Sequence, residues 1–221
     1  YFIEHRHHFF RHGYYDDGLH AYPDNASRFG FFSKAVLQIC RALDWIPDIF
    51  HSNDWHTALV PFYLKQAQLE NTDFLKSSSV LTIHNAGYQG VAPGIFRHSL
   101  GIPLENFVLE MFEDHGDINL LKGGINFADQ VNTVSPGYAK EMNTPLGSHG
   151  LYDTYLRKGE NFSGILNGCD YDEWNPEADP HLPANFSSGD LTGKKQCKQE
   201  LQRHFGFPES TSAPLIGMVS R

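Results

Sequence analysis

The feature that most constrains this chain is a regular alternation of short apolar runs with segments of helical periodicity. Four runs have the length of strands, and apolar residues at helical spacing lie between them. The strand-like runs are PDIFHS (47–52), SSVLTIHN (78–85), QVNTVS (130–135) and FSGILNG (162–168). This alternation predicts an α/β fold, with a Rossmann-like parallel sheet that has helices on both faces.

The helical segments carry residues that are typical of helix starts. Asn25 is a candidate N-cap for a helix over residues 25–43. Asp54 is a candidate N-cap for a second helix that extends from about residue 56 to 69. Pro136 suits the first position of a third helix, PGYAKEM, because its missing N–H has no intrahelical partner there.

The composition changes after Trp174, where Pro, Ser, Asn and Asp become frequent. KKQCKQELQRHFGF then has the pattern of one amphipathic helix, and APLIGMVSR that of a strand. We therefore expect one domain over residues 1–174, a linker and helix over 175–212, and the first strand of a second domain over 213–221. The chain starts without Met, so we interpret it as a fragment or a processed chain.

Composition and charge exclude several classes of protein. The 221 residues carry a formal charge of −9, which argues against a nucleic-acid partner or an anionic membrane surface. No apolar run approaches the roughly 18 residues that span a bilayer. The three cysteines are far apart and odd in number, which favours a reducing compartment over a disulfide framework.

Polar residues cluster where three of the predicted strands end. The clusters are HSNDWH (51–56), IHNAGYQG (83–90) and LNGCD (166–170). Because ligands of open parallel sheets bind beyond the carboxyl ends of the strands, we expect these clusters to meet at one edge. Asp54 could instead be a helix cap, and His84 a semi-buried structural histidine. Aromatic residues within the clusters could either pack in the core or stack on sugar rings.

A metal site is the main alternative for this chemistry. His51, Asp54 and His56 lie close in sequence, but the H-x-H-x-D-H pattern of metallohydrolases requires a histidine where Asn53 stands. The histidines of HRHH near the start fit the alternation of a strand with one wet face better than a ligand set. We therefore predict that no metal is bound.

Motifs for phosphate loops and serine nucleophiles are missing. There is no G-x-x-x-x-G-K-[ST], no G-x-G-x-x-G after a strand and no G-x-S-x-G. The segment DINLLKGGINFA (117–128) has a helical pattern, and we expect Gly123 and Gly124 to break it. This glycine pair favours close helix packing over phosphate binding.

Six motifs in order resemble the bacterial glycogen synthases and the plant and algal starch synthases. They are YPDNASRFGFFSKA, PDIFHSNDWHTALVPFYLK, LTIHNAGYQG, LLKGGINFADQVNTVSPGYAKEM, SGILNGCDYDEWNP and PLIGMVSR. The resemblance implies the GT-B architecture, in which two Rossmann-like domains face each other across a cleft. This chain would be the later part of the N-terminal, acceptor-side domain.

The resemblance also implies an activity: retaining transfer of glucose from a nucleotide sugar, usually ADP-glucose, to the non-reducing end of an α-1,4-glucan. No metal or other cofactor would be used. By motif, Asp54 and His84 would be the catalytic residues, with Trp55 and Asn167 in the sugar pocket. Weaker substrate-binding candidates by proximity are Asn85, Tyr88 and Gln89.

The cations that hold the leaving diphosphate are implied to lie outside this sequence, so the chain alone is expected to be inactive. Two residues depart from the family pattern, Asn53 and Cys169, and both leave the donor preference open. The compartment would be the plastid for a plant or algal chain and the cytoplasm for a bacterial one. Three alternatives stay open: another GT-B transferase, a metal-dependent hydrolase using His51, Asp54 and His56, or a non-catalytic glucan-binding module.

Overall fold

The computed structural model describes residues 1–70 and 72–219. The chain divides into two compact units, one over Tyr1–Asn167 and the other from Gly168 onward. The first unit contains two β-sheets. Their strands are β1 (Ile49–Asn53), β2 (Ser78–Ile83), β3 (Val91–Pro93), β4 (Glu113–Asp114), β5 (Asp117–Asn119), β6 (Gln130–Thr133) and β7 (Phe162–Gly164).

Helices pack around these sheets, and short 3₁₀ turns connect several of the elements. The α-helices are α1 (Arg6–Phe9), α2 (Asn25–Ala42), α3 (Leu59–Glu70), α4 (Leu120–Phe127), α5 (Pro136–Met142), α6 (Tyr152–Lys158) and α7 (Thr192–His204). Across the described residues, none of these helices has the length and apolar character needed to cross a membrane.

The larger sheet is parallel throughout, in the order β1-β2-β6-β7, which confirms the predicted α/β class. Its register pairs Asn53 with Thr82, Ile83 with Thr133, and Thr133 with Gly164. The carboxyl ends of all four strands therefore lie along the same edge. A smaller antiparallel sheet in the order β3-β5-β4 lies between β2 and α4 in sequence and was not predicted.

Burial alternates along the parallel strands, as expected for a pleated sheet. In β1, Phe50 and Ser52 are buried, whereas Ile49, His51 and Asn53 are exposed. The buried apolar residues of these strands join two hydrophobic clusters that include side chains of α3, α4 and α6. Fully buried residues in these clusters include the aromatic residues Phe62, Phe74, Phe112 and Tyr155.

The predicted break at Gly123 and Gly124 is wrong, because α4 runs continuously through both residues. The prediction of close packing is confirmed. A Cβ on Gly123 would lie 1.8 Å from Cε1 of Phe112, and one on Gly124 would lie 2.6 Å from Cβ of Ala58. Tertiary packing at these positions requires glycine despite its cost to the helix.

The predicted helix starts are partly wrong. The second helix begins with a 3₁₀ turn over Trp55–Thr57, and α3 follows from Leu59. Asn25 is the first residue of α2 instead of its cap, and its side chain donates to the carbonyl oxygen of Tyr15 at 2.9 Å. Pro136 occupies the start of α5, as predicted.

The HRHH segment is a helical turn, α1, so the prediction of a strand is wrong. The backbone N–H groups of His8 and Phe9 both donate to the carbonyl oxygen of His5. The rings of His5 and His8 stack 4.4 Å apart and pack against Phe31 of α2. This aromatic packing with α2 favours the turn over a strand.

The second unit contains α7 and irregular chain. Asp190 precedes α7, and its carboxylate accepts hydrogen bonds from the backbone N–H and the hydroxyl of Thr192. Residues 213–219 form no strand, and Ser220 and Arg221, the end of the predicted strand, lie outside the described residues. The proposed boundary of a further domain stays a prediction.

Candidate active site

Asp54 links the ends of β1 and β2. Its backbone N–H donates to the carbonyl oxygen of Thr82 at 2.9 Å, and its Oδ1 accepts the backbone N–H of His84 at 2.7 Å. Asp54 occupies the N-cap position of the 3₁₀ turn that follows, as predicted, but its carboxylate makes no capping hydrogen bond there. Its backbone has φ 57° and ψ −175°, a conformation that residues other than glycine rarely adopt.

His84 directly follows β2 and is exposed. Its Nε2 lies 3.1 Å from Oδ1 of Asn53, so the ring donates to that amide oxygen. Asn53, which departs from the family pattern, thus binds the imidazole of His84, while Asp54 binds the backbone N–H of His84. The edge of the sheet brings these residues together as predicted.

An aromatic cluster lies beside this pair. The Trp55 ring is 4.1 Å from His56 and 4.9 Å from Phe29, while Tyr15 stacks on His56 at 4.6 Å. Burial lowers the pKa of His56 from its usual value, against the opposing charge of Asp54, so its imidazole is neutral at pH 7. The ring contacts with Phe29 and His56 hold Trp55 in place, and its indole forms one wall of a cavity.

Gly90 lets the loop after β2 approach Trp55 closely. Its φ is +64°, and a Cβ at this position would lie 2.4 Å from Cε3 of Trp55. Both the backbone conformation and the contact therefore require glycine. The loop and the indole ring form one continuous surface.

Two cavities open along this surface, and both are lined by Trp55 and Tyr88. One, of about 470 Å³, is also lined by Tyr15, Asp54 and Asn85. The other, of about 710 Å³, extends past Gln89 and His149. Aromatic walls with a few polar groups are typical of sites for small polar ligands. Sequence reasoning missed Tyr15 and His149, which belong to loops without strand or helix signals.

The loop candidates differ in how free their side chains are. Asn85 is exposed, and its Oδ1 accepts the N–H of Gly87 at 2.9 Å; within residues 1–70 and 72–219 its NH₂ group has no hydrogen-bond partner. Tyr88 is 67% exposed. The buried N–H of Ala86 donates to the hydroxyl of Tyr138 in α5 at 3.1 Å, and this anchors the loop from behind.

Gln89 is different, because its amide is fully engaged inside the protein. Its Nε2 donates to the carbonyl oxygens of Ala86 at 3.0 Å and His149 at 2.9 Å, and its Oε1 accepts from Asn119 at 2.6 Å. Both amide hydrogens are used, so Gln89 has no donor left for a substrate.

Asn167 lies three residues beyond β7 and is exposed. The backbone N–H of Ile165 donates to Thr133 at 2.8 Å, which continues the pairing of β7 with β6 past Gly164. Asn167 therefore follows a strand end on the same edge as Asp54 and His84, with β6 between β2 and β7. Its role in the pocket stays a prediction.

The residues of the predicted metal alternative do not converge. His51 is hydrogen-bonded to Thr82 at 2.7 Å, Asp54 accepts from His84, and His56 packs among aromatic rings. Within residues 1–70 and 72–219, the side chains with converging potential ligand atoms are His7, His8 and Asp24.

A cation at that second group would face an existing ion pair. The guanidinium of Arg11 donates to both oxygens of the Asp24 carboxylate, at 2.8 and 3.1 Å. Burial opposes ionisation of Asp24, but Arg11 still holds the pKa of this carboxyl below its usual value. A metal would have to displace Arg11, so this group supports no metal proposal.

Comparisons with known proteins show which chains this one resembles. Glycogen synthase 1 of Geobacter sulfurreducens is 45% identical over 222 residues, which cover all of this chain and 44% of the relative. A glycogen synthase of Vibrio cholerae is 46% identical over 213 residues, covering 94% of this chain and 43% of the relative. This chain therefore spans less than half the length of these curated relatives.

A solved structure and a family model match as well. The catalytic domain of starch synthase IV from Arabidopsis thaliana, bound to ADP and acarbose, has a TM-score of 0.66 at 34% identity. That match covers 88% of this chain and 40% of the solved chain. The family model described as starch synthase catalytic domain matches residues 1–158. This chain therefore belongs to the starch synthase catalytic domain family.

Proposed function

We propose that this chain forms the acceptor-side part of a retaining glucosyltransferase that moves glucose from ADP-glucose to the non-reducing end of an α-1,4-glucan. The observation that carries the proposal is the hydrogen bond from the His84 backbone to Asp54, beside an aromatic cavity of about 470 Å³. The ADP and acarbose bound in the Arabidopsis relative support the nucleotide and glucan classes.

The residue types fit the charge that develops during glycosyl transfer. A transition state that resembles an oxocarbenium ion is stabilised by a nearby carboxylate and by hydrogen bonds to ring hydroxyls. We propose that His84 and Asn167 hydrogen-bond the transferred glucose, and that Asp54 both fixes His84 and contributes negative charge. Tyr88 and Trp55 would contact the apolar faces of sugar rings, since both line the two cavities. The exposed amide of Asn85 would donate to a hydroxyl.

The rest of the catalytic machinery is proposed to come from the other half of a longer protein. The chain corresponds to about 44% of its curated relatives, and the departing diphosphate needs several cations. We propose an acceptor-side domain over 1–174, a linker and helix over 175–212 and the first strand of the donor-side domain from 213. The compartment would be the cytoplasm in a bacterium and the plastid in a plant or alga.

The test is an assay of the full-length gene product with ADP-glucose or UDP-glucose and a glycogen primer. We expect incorporation of glucose from ADP-glucose, and a loss of about 10²- to 10³-fold in kcat for His84→Ala, the range for removing one preorganised donor. His98→Ala is the matched control, because His98 is an exposed histidine that lines neither cavity.

Three outcomes would contradict parts of the proposal. Preference for UDP-glucose would overturn the donor assignment, and full activity of His84→Ala would overturn the site. Glucan synthesis by the 221-residue chain alone would overturn the division of the machinery between two halves.

A further inference from the structure

The side chains of Gln89, Asn119 and Asp114 form a line of hydrogen bonds that starts at the wall of the larger cavity; Asn119 is fully buried, and the other two are partly buried. Nδ2 of Asn119 donates to Oε1 of Gln89 at 2.6 Å and to Oδ2 of Asp114 at 2.9 Å. Oδ1 of Asn119 accepts the backbone N–H of Lys122 at 2.9 Å and so caps α4. Asn119 is fully buried, so none of its polar atoms can bind a substrate.

Backbone groups at both ends fix the direction of these hydrogen bonds. The Lys122 N–H can only donate, so the Asn119 oxygen must face it and its NH₂ group must face Gln89. Gln89 must then present its oxygen to Asn119 and its NH₂ group to two backbone carbonyls. Those carbonyls belong to Ala86 and His149, and they can only accept. No amide can flip without placing two donors or two acceptors face to face.

These hydrogen bonds join separate segments of the chain that line the larger cavity. Ala86 belongs to the loop that begins with His84, and His149 belongs to a loop that follows α5 and lines the larger cavity. The carbonyl oxygen of Gln89 also accepts the N–H of Leu121 at 3.0 Å, which ties the same loop to α4. Asp114 brings in β4 of the small sheet. The side chain of Gln89 thus links the loop that begins with His84 and the loop of His149 to Asn119, the buried cap of α4.

We propose that Gln89 is a positioning residue, not a substrate ligand, and that Asn119 acts through it to hold the His84 loop and the His149 loop in register. This inference rests on the proposed function for its activity readout. Transfer requires the reacting groups to be held to within about 1 Å, and a displacement of that size can lower a rate by roughly 10²-fold. Loss of the link therefore affects turnover more than donor binding.

Isosteric variants test the direction of the hydrogen bonds. Gln89→Glu keeps the acceptor for Asn119 but sets carboxylate oxygen against the carbonyls of Ala86 and His149. Asn119→Asp keeps the cap of α4 but removes the donor to Gln89 and adds charge beside Asp114. Gln130→Glu is the matched control, since Gln130 is exposed at the opposite end of the parallel sheet and its side-chain NH₂ group donates to Asn161.

In the full-length gene product we expect Gln89→Glu and Asn119→Asp each to lower kcat by about 10- to 10²-fold, with KM for ADP-glucose within about twofold. Hydrogen exchange followed by mass spectrometry should show faster exchange in both loops, residues 84–90 and 144–150. The double variant should be no slower than the slower single variant, because both substitutions break one network. The control should match the parent in all readouts.

A rise in acceptor KM for Gln89→Glu, with unchanged kcat and unchanged exchange in residues 144–150, would overturn the proposal and make Gln89 a ligand. Full activity of Asn119→Asp would also overturn it. If either charged variant fails to fold, Gln89→Met decides, since it removes the hydrogen bonds without adding charge. If the parent makes no glucan, the proposed function fails, and the exchange of the two loops still decides whether Gln89 links them.

Discussion

Replacement of Asp54 should separate stability from activity, because its backbone is strained and its carboxylate holds His84. The left-handed, extended conformation at φ 57° and ψ −175° costs about 1–3 kcal/mol for a residue with a Cβ. The 2.7 Å hydrogen bond from the His84 N–H opposes this strain. A hydrogen bond to a charged acceptor contributes about 1.5–3 kcal/mol, and the exposure of His84 favours the lower end.

Three variants of Asp54 distinguish these two contributions. Asp54→Ala keeps the strain and loses the hydrogen bond, so the free energy of unfolding should fall by about 1.5 kcal/mol. Asp54→Asn keeps a neutral acceptor and should lose about half as much. Asp54→Gly loses the hydrogen bond but relieves the strain, and after about 0.5–1 kcal/mol for the flexibility of glycine it should stay near the parent.

Urea and thermal unfolding measure these differences. For a chain of this size, about 1.5 kcal/mol corresponds to roughly 3–6 °C in Tm, so Asp54→Ala should melt at a clearly lower temperature. Asp54→Gly should melt near the parent yet be as slow as Asp54→Ala in the full-length gene product, because both lack the carboxylate. Equal losses of stability for the Gly and Ala variants would refute the strain, and parent-like stability of Asp54→Ala would refute the value given to the hydrogen bond.

Further predictions concern pH and close packing. Burial lowers the pKa of His56, so the unfolded chain binds more protons than the folded chain. The free energy of unfolding should therefore decrease as pH falls through about 6.5. His56→Phe should remove this part of the pH dependence, measured by urea titrations between about pH 5 and pH 8. Gly90→Ala should displace Trp55 and weaken its near-UV circular dichroism, whereas an unchanged spectrum would contradict the contact. Gly123→Ala should destabilise by about 1–3 kcal/mol in urea through overpacking. Gly137→Ala in α5 should stabilise by up to about 1 kcal/mol, because the added Cβ would make only an ordinary van der Waals contact with Oγ of Ser135, at 3.8 Å. A stabilised Gly123→Ala would contradict the packing.

The sheet could be predicted from sequence because its strands are apolar runs with polar ends. SSVLTIHN, QVNTVS and FSGILNG contain β2, β6 and β7, and PDIFHS covers β1 except for its last residue, Asn53; parallel pairing aligns the carboxyl ends of these strands. The meeting of Asp54 and His84 follows from that alignment alone. Neither step needs knowledge of how side chains pack.

What could not be predicted depends on contacts between residues distant in sequence. Asp54 has the local pattern of a helix cap, yet its partner is the backbone of His84, thirty residues later. Gly123 has the local pattern of a helix break, but the ring of Phe112 occupies the space where a side chain would lie. The small sheet escaped prediction because its strands have only two or three residues, too few for a periodic pattern.

The loop after β2 combines a fixed backbone with exposed side chains, and this combination separates the candidates by role. Its backbone is held by Asp54 at the start and by Tyr138 and the amide of Gln89 further along. Packing alone would place a residue such as Tyr88 in the core, yet it is 67% exposed on an anchored loop. A side chain held in place by its backbone but exposed to the cavity loses little conformational entropy when it binds a ligand. We therefore expect the exposed side chains of this loop to be the substrate contacts, with the partly buried, hydrogen-bonded amide of Gln89 supporting them.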